Sequence, residues 1–274
     1  QSRDFLELFY ASSIGGTGNQ TNVSIVDLGE LEIKIPETLS EQKKIADSIE
    51  QWDTAIEKTE ALIDAKELQF GWLVNNIYKR LEKLELNTQP LSLYIDTSSN
   101  IHKNTDAIIA SVGKRGIRDR AEVYSKELSK DYSKNKLVYK NDIAFGLASD
   151  CIVYGINLTE NIYSVSPAYK TFKIQGCNST FLKYLLDHYN AKLSLKYLIT
   201  SARQGKSVDF NGLLNEKFVF PTIFEQEQIV EILNTARQEI TLLKKLADQY
   251  RTQKRGLMQK LLSGQWHIKN KEAP

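Results

Sequence analysis

Cysteine, histidine and proline are scarce in this sequence. Its 274 residues include 2 cysteines, 3 histidines and 5 prolines. Cys151 and Cys177 cannot form a disulfide framework or a Cys-x-x-Cys site, and the histidines are widely separated, so we expect no metal centre. No apolar run approaches the roughly 18 residues of a membrane helix, and the first residues lack a basic segment followed by an apolar one. We therefore expect a cytoplasmic protein that does not contact the membrane.

The composition is that of a globular protein, with 41% hydrophobic and 26% charged residues. A chain of this length allows about two domains. The formal net charge of +2 conceals segregation: residues 1–89 carry −7, residues 90–221 carry +6 and residues 222–274 carry +3. A basic segment between less basic flanks is typical of domains that bind polyanions, although an ordinary protein surface also reaches this charge.

The sequence contains an internal repeat. Residues 35–45, IPETLSEQKKI, resemble residues 220–229, FPTIFEQEQI, and from the Glu-Gln pair onward the two copies keep an offset of 184 residues. Each copy places a proline just before a long stretch that has none. The repeat therefore predicts two long helices, with Ser40 as the N-cap of the first.

Apolar residues in both stretches recur in alternating steps of four and three, which is the heptad pattern of coiled coils. Because the first helix leads into the middle of the chain and the second leads out of it, a direct pairing is antiparallel. The net charges, −3 for residues 41–85 and +2 for residues 225–264, favour that pairing. Two helices packed on a globular core are the alternative. The predicted seam consists of Ile45, Ile49, Trp52, Ile56, Ile63, Phe70, Leu73, Ile77, Ile229, Leu233, Ile240, Leu243, Tyr250, Leu257 and Leu261.

The middle of the chain has a mixed α/β pattern. Strands are predicted at residues 107–112, 136–139, 151–157, 168–174 and 217–220, a helix at 181–198 and a polar loop at 201–211. Residues 1–35 resemble the end of this same pattern. The predicted organisation is a domain remnant at 1–35, a long helix at 36–86, a complete domain at 87–221, a second long helix at 222–264 and a C-terminal tail at 265–274.

A domain, the motif Pro-x(3,4)-Glu-Gln-x-x-Ile, a long heptad helix and then the same order again resemble the DNA-specificity subunit of type I restriction-modification systems. The resemblance covers roughly residues 20–264 and extends to the segments Leu73–Ile77, Leu257–Gly264, Ser164–Tyr169 and Ser201–Lys206. It implies an α/β (α+β) target-recognition domain joined to a long, two-helix antiparallel coiled coil. In that family each of two such domains reads half of an interrupted DNA sequence, whereas this chain carries one complete domain.

The resemblance also implies a non-catalytic subunit with specific partners. These are double-stranded DNA, the methyltransferase subunits and the restriction subunit, and S-adenosylmethionine and ATP would bind to those partner subunits. With one complete domain, the chain would read one half-site, and a second copy of itself or another half-subunit would complete the target. A helix of about 45 residues is roughly 65 Å long, close to two turns of B-DNA at ~34 Å each, so the helices could set the distance between two reading domains.

Candidate DNA contacts are basic or amide side chains in predicted loops and on one strand. Arginine binds guanine bidentately or grips phosphate, and glycine permits close backbone approach. Lys170 and Lys173 are interpreted as sharing one polar strand face, and Ser166–Tyr169 as the buried start of that strand. The predicted contacts are Lys114, Arg115, Arg118 and Arg120 in one loop, Lys170 and Lys173, and Arg203, Gln204, Lys206 and Ser207 in a second loop.

Two other functions stay open on the sequence alone. The first is a coiled-coil scaffold or adaptor whose middle domain binds protein, with an incidental basic surface. The second is a stand-alone nuclease, suggested by Asp27, Glu32 and Lys34, but Leu31, Ile33 and Ile35 alternate as in a half-buried strand. No Ser/His/Asp or Cys/His set can be nominated as catalytic residues, so we expect no enzyme.

Overall fold

A computed structural model of the protein describes residues 26, 29, 35–83, 88–97, 106–124, 132–148, 150–201, 205–262 and 265–266. Most of the predicted remnant at 1–35 and of the tail at 265–274 lies outside these residues. The chain divides into two compact units, residues 1–69 with 236–274, and residues 70–235. Among the described helices, none is both long and apolar enough to cross a membrane. The cytoplasmic location stays a prediction.

Two long helices begin at the repeated motif. Helix α1 spans Leu39–Lys83, 45 residues, and the C-terminal long helix spans Ile223–Leu262, 40 residues. At 1.5 Å per residue, α1 is about 68 Å long. Both helices begin and end within three residues of the predicted bounds.

In the first copy of the motif, threonine and glutamine satisfy backbone groups that the helix leaves open. The Glu41 N–H donates to Thr38 Oγ1 at 3.2 Å, and Gln42 Nε2 donates to the Pro36 carbonyl at 2.8 Å. The N-cap is therefore Thr38, and the prediction of Ser40 was wrong. A cap precedes the helix and accepts from an N–H two or three residues further on, whereas Ser40 already lies in the first turn.

The second copy forms a reciprocal capping box. The Thr222 N–H donates to the Glu225 carboxylate at 2.8 Å, and the Glu225 N–H donates back to Thr222 Oγ1 at 3.4 Å. Gln226 Nε2 donates to the Pro221 carbonyl at 2.8 Å, as Gln42 does to Pro36. Gln226 is buried, and its Oε1 accepts the Asn178 N–H at 2.8 Å. The spacing of the repeat thus follows from the hydrogen bonds that start each helix.

In the unit of residues 1–69 and 236–274, the two long helices lie antiparallel. Glu67 accepts from Arg237 at 3.0 Å and from Lys244 at 2.7 Å, Glu60 pairs with Arg251, and Asp53 pairs with Lys254. As the residue number falls in the first helix it rises in the second, which is the signature of antiparallel pairing. The acidic partners come from α1 and these basic partners from the other helix, so the predicted charge complementarity is present.

The apolar stripes of both helices are covered. All fifteen predicted seam residues are buried or half-buried, and Ile45, Phe70, Leu233, Ile240 and Leu261 are buried. Within the first unit the rings of Trp52 and Tyr250 meet edge to face, with centroids 5.7 Å apart. The coiled-coil arrangement of the predicted fold class is confirmed.

The unit of residues 70–235 contains two four-stranded sheets. One has the order β2-β9-β6-β7 and the other β4-β3-β8-β5, in which β3 and β8 are parallel. Two further antiparallel pairs are β1-β12 and β10-β11. The strands are β1 Thr88–Pro90, β2 Ile95–Thr97, β3 Ile108–Gly113, β4 Gly116–Asp119, β5 Lys136–Val138, β6 Asp142–Leu147, β7 Ile152–Ile156, β8 Tyr163–Val165, β9 Lys170–Ile174, β10 Leu198–Ser201, β11 Gly205–Val208 and β12 Lys217–Val219.

Three helices complete this unit besides the ends of the long ones. They are α2 Arg120–Val123, α3 Ser179–Tyr197 and α4 Phe210–Asn215, so the C-terminal long helix is α5. Asn178 caps α3 by accepting the Thr180 and Phe181 N–H groups. A core cluster joins the two sheets and consists of Ala110, Val112, Val138, Ala144, Val153 and Val165. The mixed α/β expectation is confirmed.

Two segments that were predicted to be loops are strands instead. Residues 113–120 form the β3–β4 hairpin, and residues 201–211 contain β11 and the start of α4. Short polar strands such as Gly205–Val208 carry little apolar alternation, because sheet pairing rather than burial holds them. The central strand β6, buried over most of its length, was not predicted either, since a strand covered on both faces loses its alternation.

Removing the Gln226 amide tests the junction between α3 and α5. In a Gln226→Ala variant, the buried Pro221 carbonyl and Asn178 N–H lose their partner. We expect the free energy of unfolding to fall by about 2–4 kcal/mol, measured by urea denaturation. The exposed Gln228 on the same helix is the matched control, and Gln228→Ala should change stability by less than about 0.5 kcal/mol. Equal losses in both variants would contradict this role of Gln226.

The pairing of α1 with α5 should respond weakly to pH through Glu67. The hydrogen bond from Lys244, with Arg237 nearby, lowers the pKa of Glu67 below its ordinary value of 4.5. The stabilisation is therefore present above about pH 4.5 and is lost as the pH falls through the lowered pKa. Because Glu67 is largely solvated, Glu67→Gln should cost no more than about 1 kcal/mol at neutral pH. The difference in unfolding free energy between Glu67→Gln and the wild type should vanish in acid. The control variant Glu57→Gln, at an exposed position of α1, should have the same unfolding free energy as the wild type in every measurement.

Candidate nucleic-acid interface

A cleft of about 870 Å³ opens in the unit of residues 70–235. It is lined by Phe145–Leu147 of β6, by Phe210 of α4, and by the segment Ser166–Lys170 between β8 and the start of β9. Further walls come from β3, from the start of α2 through Tyr124, from residues 132–135 and from β11. The cleft therefore collects segments that are distant in sequence.

The described residues that line the cleft include four cationic side chains and no carboxylate. The cations are Arg120, Lys134, Lys170 and Lys206. Tyr124, Tyr132, Tyr169, Phe145 and Phe210 add aromatic surface. A concave site with cations and aromatic rings suits a phosphate-bearing ligand with flat bases.

Arg120 is half-buried at the start of α2. The Asp119 carboxylate accepts the Ala121 N–H at 2.8 Å and so caps this short helix. The guanidinium carbon of Arg120 lies 5.7 Å from the Tyr124 ring centroid, and Arg120 Nε is buried without a hydrogen-bond partner among the described residues. The terminal N–H groups of a guanidinium can donate to a phosphate or to a base edge.

Lys170 is held over an aromatic ring. Its ammonium nitrogen lies 4.2 Å from the Phe210 ring centroid. On β5, Lys136 donates to the Tyr169 carbonyl at 2.7 Å, and burial, with Lys170 nearby, lowers the pKa of Lys136. The charge of Lys170 adds to the effect of burial on Lys136, and a nearby anion would offset this repulsion.

The β10–β11 hairpin supplies the second predicted cluster. Lys206 and Ser207 line the cleft, and Gly205 adopts a left-handed backbone conformation with φ of 73° at the turn. Strand β11, which begins at Gly205, therefore carries both side chains to the cleft. Arg203 and Gln204 lie outside the described residues.

The remaining members of the first predicted cluster lie elsewhere. Lys114 and Arg115 occupy the exposed turn of the β3–β4 hairpin, beside a separate cavity of about 290 Å³. Lys114 pairs with Asp150 at 2.9 Å, and this hydrogen bond raises the pKa of Lys114. Arg118 is half-buried on β4 opposite Ser111. Of this cluster, only Arg120 reaches the cleft.

Lys170 and Lys173 do not share a strand face, which corrects the sequence interpretation. They are three residues apart on β9, and side chains alternate between faces along a strand. In the sheet register Lys173 lies between Asp96 of β2 and Asp142 of β6. Its charge therefore faces carboxylates, and Lys173 is absent from the lining of the cleft.

Ser166–Tyr169 is a turn rather than the buried start of a strand. Strand β9 begins at Lys170, and Pro167 and Ala168 are exposed at the cleft edge. Of the four residues of this turn, only Tyr169 packs against the core cluster. Proline cannot donate to a sheet, which explains why pairing starts after it.

Neither a protein-family model nor a curated protein sequence matches this chain. Solved structures do match. The HsdS subunit from Thermoanaerobacter tengcongensis aligns over 97% of this chain and 68% of its own, at 15% identity and a TM-score of 0.56. The S subunit of a type I restriction-modification system from M. genitalium aligns over 92% and 68%, at 16% identity and a TM-score of 0.51. A structure from work on complex assembly and conformational transition of the type I R-M system aligns over 96% and 67%, at 15% identity and a TM-score of 0.57.

The chain has the fold of a type I S subunit. The predicted resemblance is therefore confirmed for the fold. At 15–16% identity, a shared fold does not assign roles to the side chains of the site. The chemistry of the cleft in this S-subunit fold follows from the residues of this chain.

Sequence reasoning missed several residues that line the cleft of this S-subunit fold. Tyr124, Tyr132, Lys134, Asn135 and Phe210 were not nominated, and Asn135 is buried with its amide donating to Ser164 Oγ at 2.9 Å. None of them belongs to a motif. Only the sheet order brings them together, so no signal in the sequence marks them.

Proposed function

We propose that this chain is a sequence-specific DNA-binding subunit that directs the methyltransferase and endonuclease of a type I restriction-modification system to their target. The observation that carries the proposal is a cleft with four cations and no carboxylate among its described lining residues, in a chain with the S-subunit fold. The chemistry is assigned to the partners, which would hold S-adenosylmethionine and ATP, and the chain itself supplies recognition.

The cleft offers the two kinds of contact that sequence-specific binding needs. Lys134, Lys170 and Lys206 would neutralise phosphates, which gives affinity and register. Arg120 would present its fork to a base edge or phosphate, and Ser207 adds a hydroxyl that can donate or accept. Lys114, Arg115, Arg118, Arg203 and Gln204 stay candidate contacts outside the described cleft.

The helix pair is the proposed binding surface for protein partners. Leu62, Leu68 and Leu242 lie outside the seam and are 45%, 77% and 56% exposed. Exposed leucines on a helix pair suit an apolar face of another subunit. We assign this surface to the methyltransferase subunits, and the restriction subunit would join through the complex.

We propose that the unit of residues 70–235 reads one half-site. A second copy of this chain or another half-subunit would supply the other half, and helix α1, about 68 Å long, matches two turns of B-DNA at ~34 Å each. Methylome mapping with the partner methyltransferase would then show a bipartite target.

Lys170 and Lys173 provide a matched pair for testing the cleft. Lys170 lines it, whereas Lys173 lies on the other face of the same strand. We expect Lys170→Met to weaken binding of a fluorescein-labelled duplex and to reduce the slope of log Kd against log salt by about 0.9, since one phosphate contact is lost. Lys173→Met should leave the slope unchanged. Fluorescence anisotropy titrations at salt concentrations from about 50 to about 200 mM measure both slopes, because phosphate contacts weaken over roughly this range.

The competing outcomes are distinct. Equal slopes for Lys170→Met and the wild type would contradict the cleft as the DNA site. Failure of the wild type to bind any duplex in a salt-dependent way, together with capture of a protein partner by residues 70–235 of the full chain, would favour the scaffold alternative.

A further inference from the structure

The turn Ser166–Tyr169 between β8 and β9 is held from within. The Tyr169 N–H donates to the Ser166 carbonyl at 3.1 Å, and the Ala168 N–H lies 3.4 Å from Ser166 Oγ. Pro167 fixes its own φ angle. The tip, Pro167–Ala168, is nevertheless exposed at the cleft edge. A solvent-facing turn is thus restrained to one conformation.

The Tyr169 side chain fastens this turn to both sheets. Its hydroxyl donates to the Val112 carbonyl of β3 at 3.2 Å. Its ring lies against the backbone of Gly146 on β6, where a Cβ atom would stand 2.4 Å from two ring carbons. Only glycine at position 146 admits the ring in this position. Strand β3 belongs to one four-stranded sheet and β6 to the other, so Tyr169 bridges them.

The main chain of Tyr169 is fixed as well, and Lys170 follows it directly. Lys136 donates to the Tyr169 carbonyl at 2.7 Å, and Lys170 lies over Phe210. Three strands, β3, β5 and β6, therefore hold one residue next to a cation of the cleft. Such restraint lowers the entropy that a reading surface loses on binding.

We propose that Tyr169 is a positioning residue for DNA recognition, which with Gly146 fixes the Ser166–Tyr169 turn and the adjoining Lys170 at the cleft so that this segment discriminates between DNA sequences. The inference rests on the proposed function. Tyr169 itself is not one of the cations that would pair with phosphates. Its role is to hold the exposed backbone of Pro167 and Ala168 and the stem of Lys170 in one geometry, so that a correct duplex fits and an incorrect one does not.

Two variants separate positioning from charge. Tyr169→Phe removes the hydroxyl bond to Val112, and Gly146→Ala displaces the ring. Tyr139→Phe, at an exposed tyrosine, is the control. Each full-length chain is titrated against a duplex selected by the wild type from a random-sequence pool and against a scrambled duplex, with salt slopes and urea midpoints measured in parallel.

We expect Tyr169→Phe to lower the ratio of the two affinities about threefold to tenfold, as the loss of one hydrogen bond would. Gly146→Ala should lower it further, and Tyr139→Phe should leave it unchanged. The salt slope should match the wild type in every variant because no cation is removed. If Gly146→Ala fails to fold, Tyr169→Phe decides the matter.

An unchanged affinity ratio in Tyr169→Phe, with a wild type that discriminates, would overturn the positioning role and leave the proposed function intact. An equal loss for both duplexes would also overturn it, since a merely structural residue gives that result. A wild type that binds both duplexes equally would overturn the proposed function together with this inference.

Discussion

The buried amide of Gln226 is the constraint on which the unit of residues 70–235 depends. One side chain donates to the Pro221 carbonyl, where the sheet ends, and accepts from the Asn178 N–H, where α3 begins. Its own backbone starts α5. Glutamate at this position could accept but could not donate, and a shorter amide would not span both partners. The start of α5 is therefore held by the same residue that anchors α3, and the bond from glutamine to the proline carbonyl is the feature that both copies of the repeat share.

Different interactions stabilise the helix pair and set the relative direction of its two helices. The seam buries apolar side chains in an unbroken register, and burial of this kind is the dominant favourable contribution. The ion pairs of Glu60 and Glu67 are exposed and individually weak. They nevertheless favour the antiparallel arrangement, because their partners, like those of Lys66 and Glu239, face each other only when the two helices run in opposite directions. The covalent path through residues 70–235 favours the same arrangement.

The sequence predicted local features well and non-local ones poorly. The long helices were predictable because heptad spacing is read within one segment, and α3 because its buried residues recur at helical spacing. Strand β6 was missed because burial on both faces removes its alternation. The error over Lys170 and Lys173 came from ignoring that an odd spacing reverses a strand face. The cleft could not be predicted, since Tyr132, Phe145 and Phe210 meet only through the order of the strands.

What the basic residues of the unit 70–235 can bind depends on where they lie in the fold. Lys114, Lys183 and Lys196 each pair with a neighbouring carboxylate, and Lys173 lies between Asp96 and Asp142 in the sheet register. These charges are largely balanced where they stand. The described lining of the cleft, by contrast, brings Arg120 and Lys170 to one concavity that no carboxylate shares. Low-dielectric walls and a concave shape strengthen the potential of such charges. Residues 90–221 carry a net charge of +6, and the cleft is where four of these cations meet without a carboxylate among the described lining residues.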